Sequence, residues 1–222
     1  GGGQELADEM YGRDNIKMLV CNIIPPESSG WFREEINGVE DLNGLKMRFF
    51  GLGAKVMEKF GVSTQLLSSG DIYPALELGS IDATEFSMPA IDRDLGFYQI
   101  AKHNYFPGWH QQSTIGELLI NMDKYNELSD GQKVMLNQAC QAQTLRGFAE
   151  GESGQAEAMA FHQEKGVEIH RWDDETLAKF KEAWLEVINE EIEGSEDAQK
   201  IWKSYSDFRD TYAIWRDHGY LN

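Results

Sequence analysis

The alternation of strands and helices between residues 45 and 86 most constrains the fold of this chain. Three predicted strands and the two predicted helices between them follow one another here, at residues 45–50, 54–60, 62–67, 71–78 and 81–86. Consecutive strands that are joined by helices lie parallel, and their crossovers are expected to be right-handed. The pattern therefore predicts an α/β fold built on a parallel sheet.

Turn and capping residues predict where several helices begin and end. Gly61 is placed to end the first helix, and Asp71 is expected to cap the second. Ser129 and Gln132 have the spacing of a capping box, which opens a potential helix of roughly 35 residues, about the length that spans a two-lobed protein. Asp173 is expected to cap the helix that follows a short strand at residues 167–170.

Arg48 is the candidate binding residue of the first predicted strand. It lies near the carboxyl end of that strand, where open α/β sheets hold their ligands. A guanidinium directs two parallel donors onto a carboxylate, so this residue suits recognition of a small organic acid. From the residues alone, a surface salt bridge is an equally good interpretation.

The charge balance excludes two classes of partner. The chain has 222 residues and a formal net charge of −18, from 20 basic and 38 acidic residues. Nucleic acids and anionic membrane surfaces both require a basic footprint, so neither is an expected partner. No apolar run approaches the roughly 18 residues of a transmembrane helix, and the first residues do not form a secretory signal.

The cysteines and most histidines suggest no site. Cys21 and Cys140 lie far apart in the sequence and outside any metal-binding spacing, so we expect buried, unreactive thiols. They would pair only if the fold happened to bring them together. Four histidines are scattered along the chain and indicate no common site: His103, His162, His170 and His218.

Five motifs, taken together, resemble a known family. They occur in the order Gly30–Arg33, Gly44–Arg48, Gly70–Glu77, Ile81–Glu85 and Tyr105–Trp109. In this order they look like the substrate-binding proteins of tripartite ATP-independent periplasmic (TRAP) transporters, in particular the branch that binds α-keto acids and lactate. Members of that family are longer at the amino end. The resemblance therefore implies that the signal peptide and the first strands and helices of the first lobe are missing here.

The resemblance implies a two-lobed α/β clamshell of the type II periplasmic-binding-protein kind, with the ligand between the lobes. It implies a division into a remnant of the first lobe and hinge, the second lobe, a return to the first lobe, a lobe-spanning helix, and a carboxyl-terminal strand and helices packed across both lobes. These parts correspond to residues 1–19, 20–85, 86–125, 126–166 and 167–222. With part of the first lobe missing, the aromatic residues between Phe97 and Trp109 are expected to be exposed.

The resemblance also assigns binding residues. Arg48 matches the arginine that pairs with the substrate carboxylate, and Glu85 matches an acidic residue that helps to hold a metal ion bridging protein and substrate. The alternative for Glu85 is an interlobe salt bridge with Arg48 itself. Phe86 replaces a tryptophan whose backbone carbonyl faces that metal, and Glu27 replaces a glutamine ligand. These two departures leave metal use open, because a second carboxylate either strengthens calcium binding or accepts hydrogen bonds from another ligand. Three further candidate substrate contacts lie beside the expected cleft: Trp109, His110 and Gln111.

The function implied is that of a periplasmic solute-binding component, which captures a small organic acid and delivers it to the membrane permease of a TRAP transporter. A calcium or sodium ion is an expected cofactor, and no organic cofactor is expected. Glu27 and Glu85 near a histidine leave a metal-dependent hydrolase as an alternative, although no HExxH or GxSxG motif is present. A ligand-sensing module on the same fold is a further alternative. An apolar stripe along the last helix is expected to be core, or else the contact of a homodimer.

Overall fold

The computed structural model describes residues 2–220. Its main elements, in chain order, are α1 (Gly3–Gly12), β1 (Ile16–Ile24), β2 (Gly30–Phe32), β3 (Lys46–Arg48), α2 (Gly51–Lys59), β4 (Ser63–Gln65), α3 (Ser69–Glu77), β5 (Ala83–Thr84), α4 (Pro89–Leu95), β6 (His103–Phe106), β7 (Thr114–Asn121), α5 (Met122–Asn126), α6 (Asp130–Glu164), β8 (Glu168–Arg171), α7 (Asp174–Glu193) and α8 (Glu196–Gly219). Two short 3-10 helices lie at Val39–Leu42 and Phe97–Gln99.

The chain forms two compact units. Unit 1 contains the described residues up to Asn22, the segment Gly116–Thr144, and the described residues from Ile188 onward; unit 2 contains Ile23–Ile115 and Leu145–Val187. The long helix α6 contributes residues to both units.

The unit boundaries differ from the domain boundaries expected from the sequence. Residues 86–115 belong to unit 2, together with residues 23–85, whereas residues 86–125 were expected to return to the first lobe. The reason is that β6 hydrogen-bonds to β2 on one side and to β8 on the other, within one sheet. This pairing holds the aromatic segment inside unit 2, where Phe97 and Tyr105 are buried rather than exposed.

The sheet of unit 2 has six strands in the order β4-β3-β5-β2-β6-β8. Strand β3 lies parallel to β4 and to β5, which confirms the parallel arrangement predicted from the alternating pattern. Strand β2 runs antiparallel to β5 and β6, so the sheet as a whole is mixed. Strands β1 and β7 form a separate two-stranded sheet.

Both faces of the six-stranded sheet are covered by apolar residues. Neighbouring residues of a strand point to opposite faces, and in β2 the fully buried Trp31 and the buried Phe32 belong to two different hydrophobic clusters. Trp31 packs with Ile72 and Leu76 of α3, and Phe32 packs in the cluster that includes Phe180 of α7. Strand ends that are buried on both faces can hold polar groups away from water.

The predicted helix starts are largely confirmed. Ser129 Oγ accepts from the backbone N–H of Gln132 at 3.3 Å, and Gln132 Oε1 accepts from the N–H of Ser129 at 2.8 Å, which is a capping box. Asp173 accepts from the N–H of Thr176 at 2.6 Å. Asp71 is not the cap of α3, because that helix begins earlier, at Ser69, and places Asp71 in its first turn.

The expectation of free thiols is wrong. Cys21 of β1 and Cys140 of α6 form a disulfide with a Cα–Cα distance of 4.1 Å. The two cysteines are 119 positions apart, but both lie in unit 1. Only the tertiary arrangement of β1 and α6 brings them together, which no local spacing could indicate.

The apolar stripe of α8 is exposed, so the prediction that it is core is wrong for this chain. Its five members all have substantial solvent exposure: Ile201, Tyr205, Phe208, Tyr212 and Trp215. Among the described residues, none of the helices combines the length and the apolar character that crossing a membrane requires.

Candidate functional site

Arg48 and Glu85 are joined where β3 and β5 lie side by side. The backbone N–H of Glu85 donates to the carbonyl of Arg48 at 3.0 Å, which extends the parallel ladder one residue beyond β5. In return, Nη1 of Arg48 donates to the carbonyl of Glu85 at 2.6 Å and to its carboxylate Oε2 at 2.9 Å. Both side chains are buried. Arg48 is therefore in a buried ion pair within unit 2, and not in a surface salt bridge.

Two further contacts hold the Arg48 guanidinium in place. Its Nε donates to the backbone carbonyl of Leu67 at 3.4 Å. The guanidinium carbon also lies 5.1 Å from the centre of the Phe86 ring, within the range of a cation–π interaction. Phe86 thus provides an aromatic face to the arginine.

Glu27 reaches the same region from the loop after β1. Its backbone N–H donates to the carbonyl of Gln111 at 3.3 Å, and its own carbonyl accepts from the N–H of Gly108 at 3.1 Å. The Gln111 side-chain amide donates to Glu27 Oε1 at 3.0 Å. A β-carbon on Gly108 would overlap the Glu27 carbonyl, so a glycine is required for this close approach of two backbones.

His110 lies between the two carboxylates. Its Nε2 is 3.7 Å from Oε1 of Glu85 and 3.9 Å from Oε2 of Glu27. One potential ligand atom from each of these three residues lies within 4.8 Å of the others. The imidazole is flanked by the rings of Phe49 and Trp109, at centroid distances of 4.9 and 5.4 Å. The fold thus brings together Glu27, Glu85 and His110, which are up to 83 positions apart in the sequence.

Several polar atoms of this cluster are buried without a hydrogen-bond partner among the described residues. They are Oε2 of Glu27 and both ring nitrogens of His110. Burial is the largest influence on the Glu27 carboxyl and raises its pKa from the usual 4.5 to about 8, with further contributions from the charges of Glu85 and Asp92. Buried polar groups are normally satisfied, so this carboxylate oxygen fits a site that gains a cation or a donor when it is loaded. Carboxylate oxygens are the ligands that calcium prefers.

Asp92, at the start of α4, is a supporting residue that the sequence analysis missed. It is fully buried and accepts from Nε1 of Trp31 at 2.8 Å and from the N–H of Ser87 at 3.1 Å. The hydroxyl of Ser28 also donates to it, at 3.4 Å. Burial raises the Asp92 pKa to about 7. Because Ser28 adjoins Glu27, and Ser87 follows Phe86, Asp92 ties together the two loops that carry the site. No motif around Asp92 indicated this role.

The remaining candidates differ in how close they come to the carboxylates. Gln111 contacts Glu27 directly, as described above. Trp109 is stacked on Phe180 at a centroid distance of 4.8 Å and tilted against Phe49 at 6.1 Å, so its ring extends the hydrophobic core beside His110. The Trp109 ring thus packs beside the His110 imidazole. A separate cavity of about 140 Å³ in unit 2 contains none of the predicted site residues; it is lined by Phe32, Arg33, Glu34, Ile36, Leu45 and Asp82.

The sequence and the fold both match known proteins. A family model described as bacterial extracellular solute-binding protein, family 7 (DctP), matches residues 3–194. The monocarboxylate 2-oxoacid-binding periplasmic protein of Nostoc sp. is 28% identical over 215 residues, which cover 97% of this chain and 59% of that protein.

Two crystal structures resemble the fold closely. A TRAP transporter solute-binding protein from Bordetella bronchiseptica has a TM-score of 0.93 and 32% identity, covers 99% of this chain, and holds copurified calcium and picolinate. A TRAP periplasmic solute-binding protein from Pseudoalteromonas atlantica has a TM-score of 0.90 and 29% identity, covers 97% of this chain, and holds sodium and pyruvate. The match spans 66% of each of these two chains and 59% of the Nostoc protein, so this chain covers less than two thirds of its relatives.

Proposed function

This chain belongs to family 7 of the bacterial extracellular solute-binding proteins, and we propose that it captures a small organic acid for a TRAP transporter. The preferred ligand class is a monocarboxylate with an oxygen or ring nitrogen beside the carboxylate, such as a 2-oxo acid. Capture takes place in the periplasm, and the loaded protein delivers the acid to the membrane permease. Relatives that bind a 2-oxo acid, pyruvate or picolinate support this ligand class.

The convergence of one buried arginine with two buried carboxylates carries this proposal. An arginine alone would bind many anions, and two carboxylates alone would repel an organic acid. Together, the Arg48 guanidinium supplies positive charge and a remaining N–H donor for the ligand carboxylate, while Glu27 and Glu85 provide oxygen ligands for a cation. The cation provides the positive charge that allows an acid to bind beside two acidic side chains.

The residues present fit calcium or sodium. Glu27, Glu85 and the backbone carbonyl of Phe86 are the proposed ligands of the ion, because hard cations take oxygen donors. Oε2 of Glu27 has no hydrogen-bond partner among the described residues, so an oxygen ligand is free for this purpose. The proposed contacts to the organic acid come from Arg48, Glu85, Phe86, Trp109, His110 and Gln111.

We propose that this protein binds its ligand and does not catalyse a reaction on it. Nε2 of His110 lies beside two carboxylates, and among the described residues neither ring nitrogen is hydrogen-bonded to a hydroxyl or thiol that a histidine would activate. This arrangement favours ion and ligand binding over a metal-dependent hydrolase. A ligand sensor on the same fold would have the same site. A permease gene beside the gene for this protein would indicate a transport component, and its absence there would favour a sensor.

The exposed stripe of α8 is the proposed contact with a second copy of the chain. The stripe presents Phe208 and Trp215 to solvent, and the Bordetella relative is described as a dimer. Light scattering on wild type and on Phe208→Glu tests this contact. A dimer that becomes monomeric in the variant supports it, and an unchanged mass contradicts it.

A thermal-shift screen of the complete gene product tests the ligand class. The panel consists of pyruvate, lactate, other 2-oxo acids, picolinate and a neutral amide of pyruvate, each with calcium, with sodium, and with a chelator. We expect 2-oxo monocarboxylates to raise the melting temperature, most strongly with a cation, and the amide to have no effect. Equal stabilisation by the acid and its amide would contradict carboxylate recognition by Arg48.

A further inference from the structure

A second group of metal-ligating side chains lies on β6 and β8 of unit 2. These strands run parallel, and their register pairs His103 with Glu168 and Tyr105 with His170. Alternate residues of a strand share a face of the sheet, so these four side chains point to the same side. His103 and His170 are therefore neighbours in the fold, although they lie 67 positions apart in the sequence.

The two histidines come as close as the ligands of one metal ion. Nδ1 of His103 lies 3.0 Å from Nε2 of His170, and Oε2 of Glu168 lies 4.0 Å from the same His170 nitrogen. Two nitrogens bound tetrahedrally to one zinc ion, each at about 2.0–2.1 Å, are roughly 3.3 Å apart. The imidazoles thus need to open by only a few tenths of an ångström to admit the ion.

His170 is already held in the required orientation. Its ring is stacked on that of Tyr105, with a centroid distance of 4.6 Å and an interplanar angle of 12°. Tyr105 is fixed in turn, because its hydroxyl accepts from the backbone N–H of Ile36 at 2.7 Å and donates to the Ile36 carbonyl at 2.9 Å. The other ring nitrogen of His170, Nδ1, lies 4.0 Å from Oε1 of Glu35. A metal-bound histidine typically donates its second N–H to such a carboxylate, which orients the ring.

We propose that His103, His170 and Glu168 bind a divalent transition-metal ion, with zinc as the best fit, and that Glu35 orients His170. Two imidazoles and one carboxylate suit zinc, whereas calcium and sodium prefer oxygen ligands throughout. The group is open to solvent, since the Glu168 side chain is 67% exposed and that of His170 is 19% exposed. Three protein ligands leave one coordination position for water.

Zinc titration by calorimetry on tag-free protein tests this proposal. We expect the double variant His103→Gln/His170→Gln to lose one equivalent of bound zinc. The matched control is His218→Gln on α8, which removes an exposed histidine outside this group and is expected to retain that equivalent. Glu27→Gln is a second control, which separates the new site from the carboxylate cluster. Glu35→Gln is expected to weaken zinc binding by about 10–100-fold while leaving the stoichiometry unchanged.

Glu168→Gln keeps the test decisive if the histidine double variant does not fold. Glu168 is largely exposed, so its replacement leaves the core intact, and we expect at least about a tenfold loss of zinc affinity. Zinc binding with wild-type affinity and stoichiometry in Glu168→Gln would overturn the proposal, because the proposed ligand would then be dispensable. Wild-type protein that takes up no zinc at micromolar concentrations would overturn it as well.

Discussion

Arg48 donates from the same nitrogen to two acceptors of one residue, the carbonyl and the carboxylate of Glu85, at 2.6 and 2.9 Å. Both side chains are buried at the end of two adjacent parallel strands. The guanidinium is consequently fixed before any ligand arrives. Such preorganisation reduces the entropy that binding loses, and it makes the arginine selective for a carboxylate in one orientation.

The first prediction concerns Arg48→Lys. The variant keeps a positive charge beside Glu85 but loses the planar fork, so we expect the affinity for a 2-oxo acid to fall by about 2–5 kcal/mol. Calorimetry measures this loss, and Arg146→Lys is the matched control, because Arg146 lies on α6 with an exposed side chain. Wild-type affinity in Arg48→Lys would contradict the role of Arg48. Arg48→Ala is less informative, because leaving the Glu85 charge buried and unpaired is expected to destabilise the fold by about 3–5 kcal/mol.

The second prediction concerns pH and Glu27. The Glu27 pKa is about 8 in the folded protein and has its usual value of 4.5 when unfolded, so the folded state holds the proton more tightly. This contribution to stability is fully present below pH 4.5 and is lost as the pH rises through 8. In chelator, the free energy of unfolding is expected to decline between pH 6 and 8.5 in the wild type, and to decline by about 2–3 kcal/mol less in Glu27→Gln.

Denaturant unfolding across this pH range measures the effect, and the exposed Glu182→Gln is its control. Burial also raises the pKa of Asp92 to about 7. The free energy of unfolding of both variants is therefore still expected to decline over this pH range. Identical pH profiles for wild type and Glu27→Gln would show that Glu27 is not buried in its neutral form.

The third prediction concerns the glycine beside Glu27. A β-carbon at Gly108 would overlap the backbone carbonyl of Glu27 and lie 3.2 Å from that of Ser28. We expect Gly108→Ala to displace the Glu27 loop, destabilise the protein by about 1–3 kcal/mol, and weaken binding of the acid and its cation. The control is Gly131→Ala, where a β-carbon meets open space within α6, and where we expect a gain of about 0.5–1 kcal/mol. Thermal unfolding and calorimetry compare the two variants; equal stability would argue against the close approach.

The fourth prediction concerns the disulfide. Cys21 and Cys140 close a loop across 119 positions, and releasing a loop of this length increases the entropy of the unfolded chain. We expect Cys21→Ser/Cys140→Ser, or reduction of wild type, to destabilise unit 1 by about 2–5 kcal/mol. Thiol titration under denaturing, non-reducing conditions checks the bond itself. Two reactive thiols per chain would contradict the disulfide, whereas none is expected.

Local patterns predicted much of the secondary structure. The alternation of strands and helices gave the parallel pairing of β3 with β4 and β5, and the spacing of Ser129 and Gln132 located the start of α6. Each of these signals depends on residues close together in the chain. The position of Arg48 at a strand end is of the same kind.

Such local patterns could not predict the contacts between segments that are distant in the sequence. The approach of His110 to Glu27 depends on two backbone hydrogen bonds between loops about 80 residues apart. The pairs Cys21–Cys140 and His103–His170 likewise depend on which elements the fold places side by side. The resemblance to TRAP substrate-binding proteins suggested that Glu27 and Glu85 share a site, although residue spacing alone indicated nothing of the kind.

The account depends most directly on whether an organic acid and a cation bind together at Arg48, Glu27 and Glu85. Calorimetric titration of pyruvate into the complete gene product, with calcium, with sodium and with a chelator, measures this in one experiment. We predict one pyruvate per chain, weaker binding in chelator that recovers with a cation, and binding that is weaker by about 2–5 kcal/mol in Arg48→Lys. Pyruvate binding that is unchanged by both the chelator and Arg48→Lys would contradict the account.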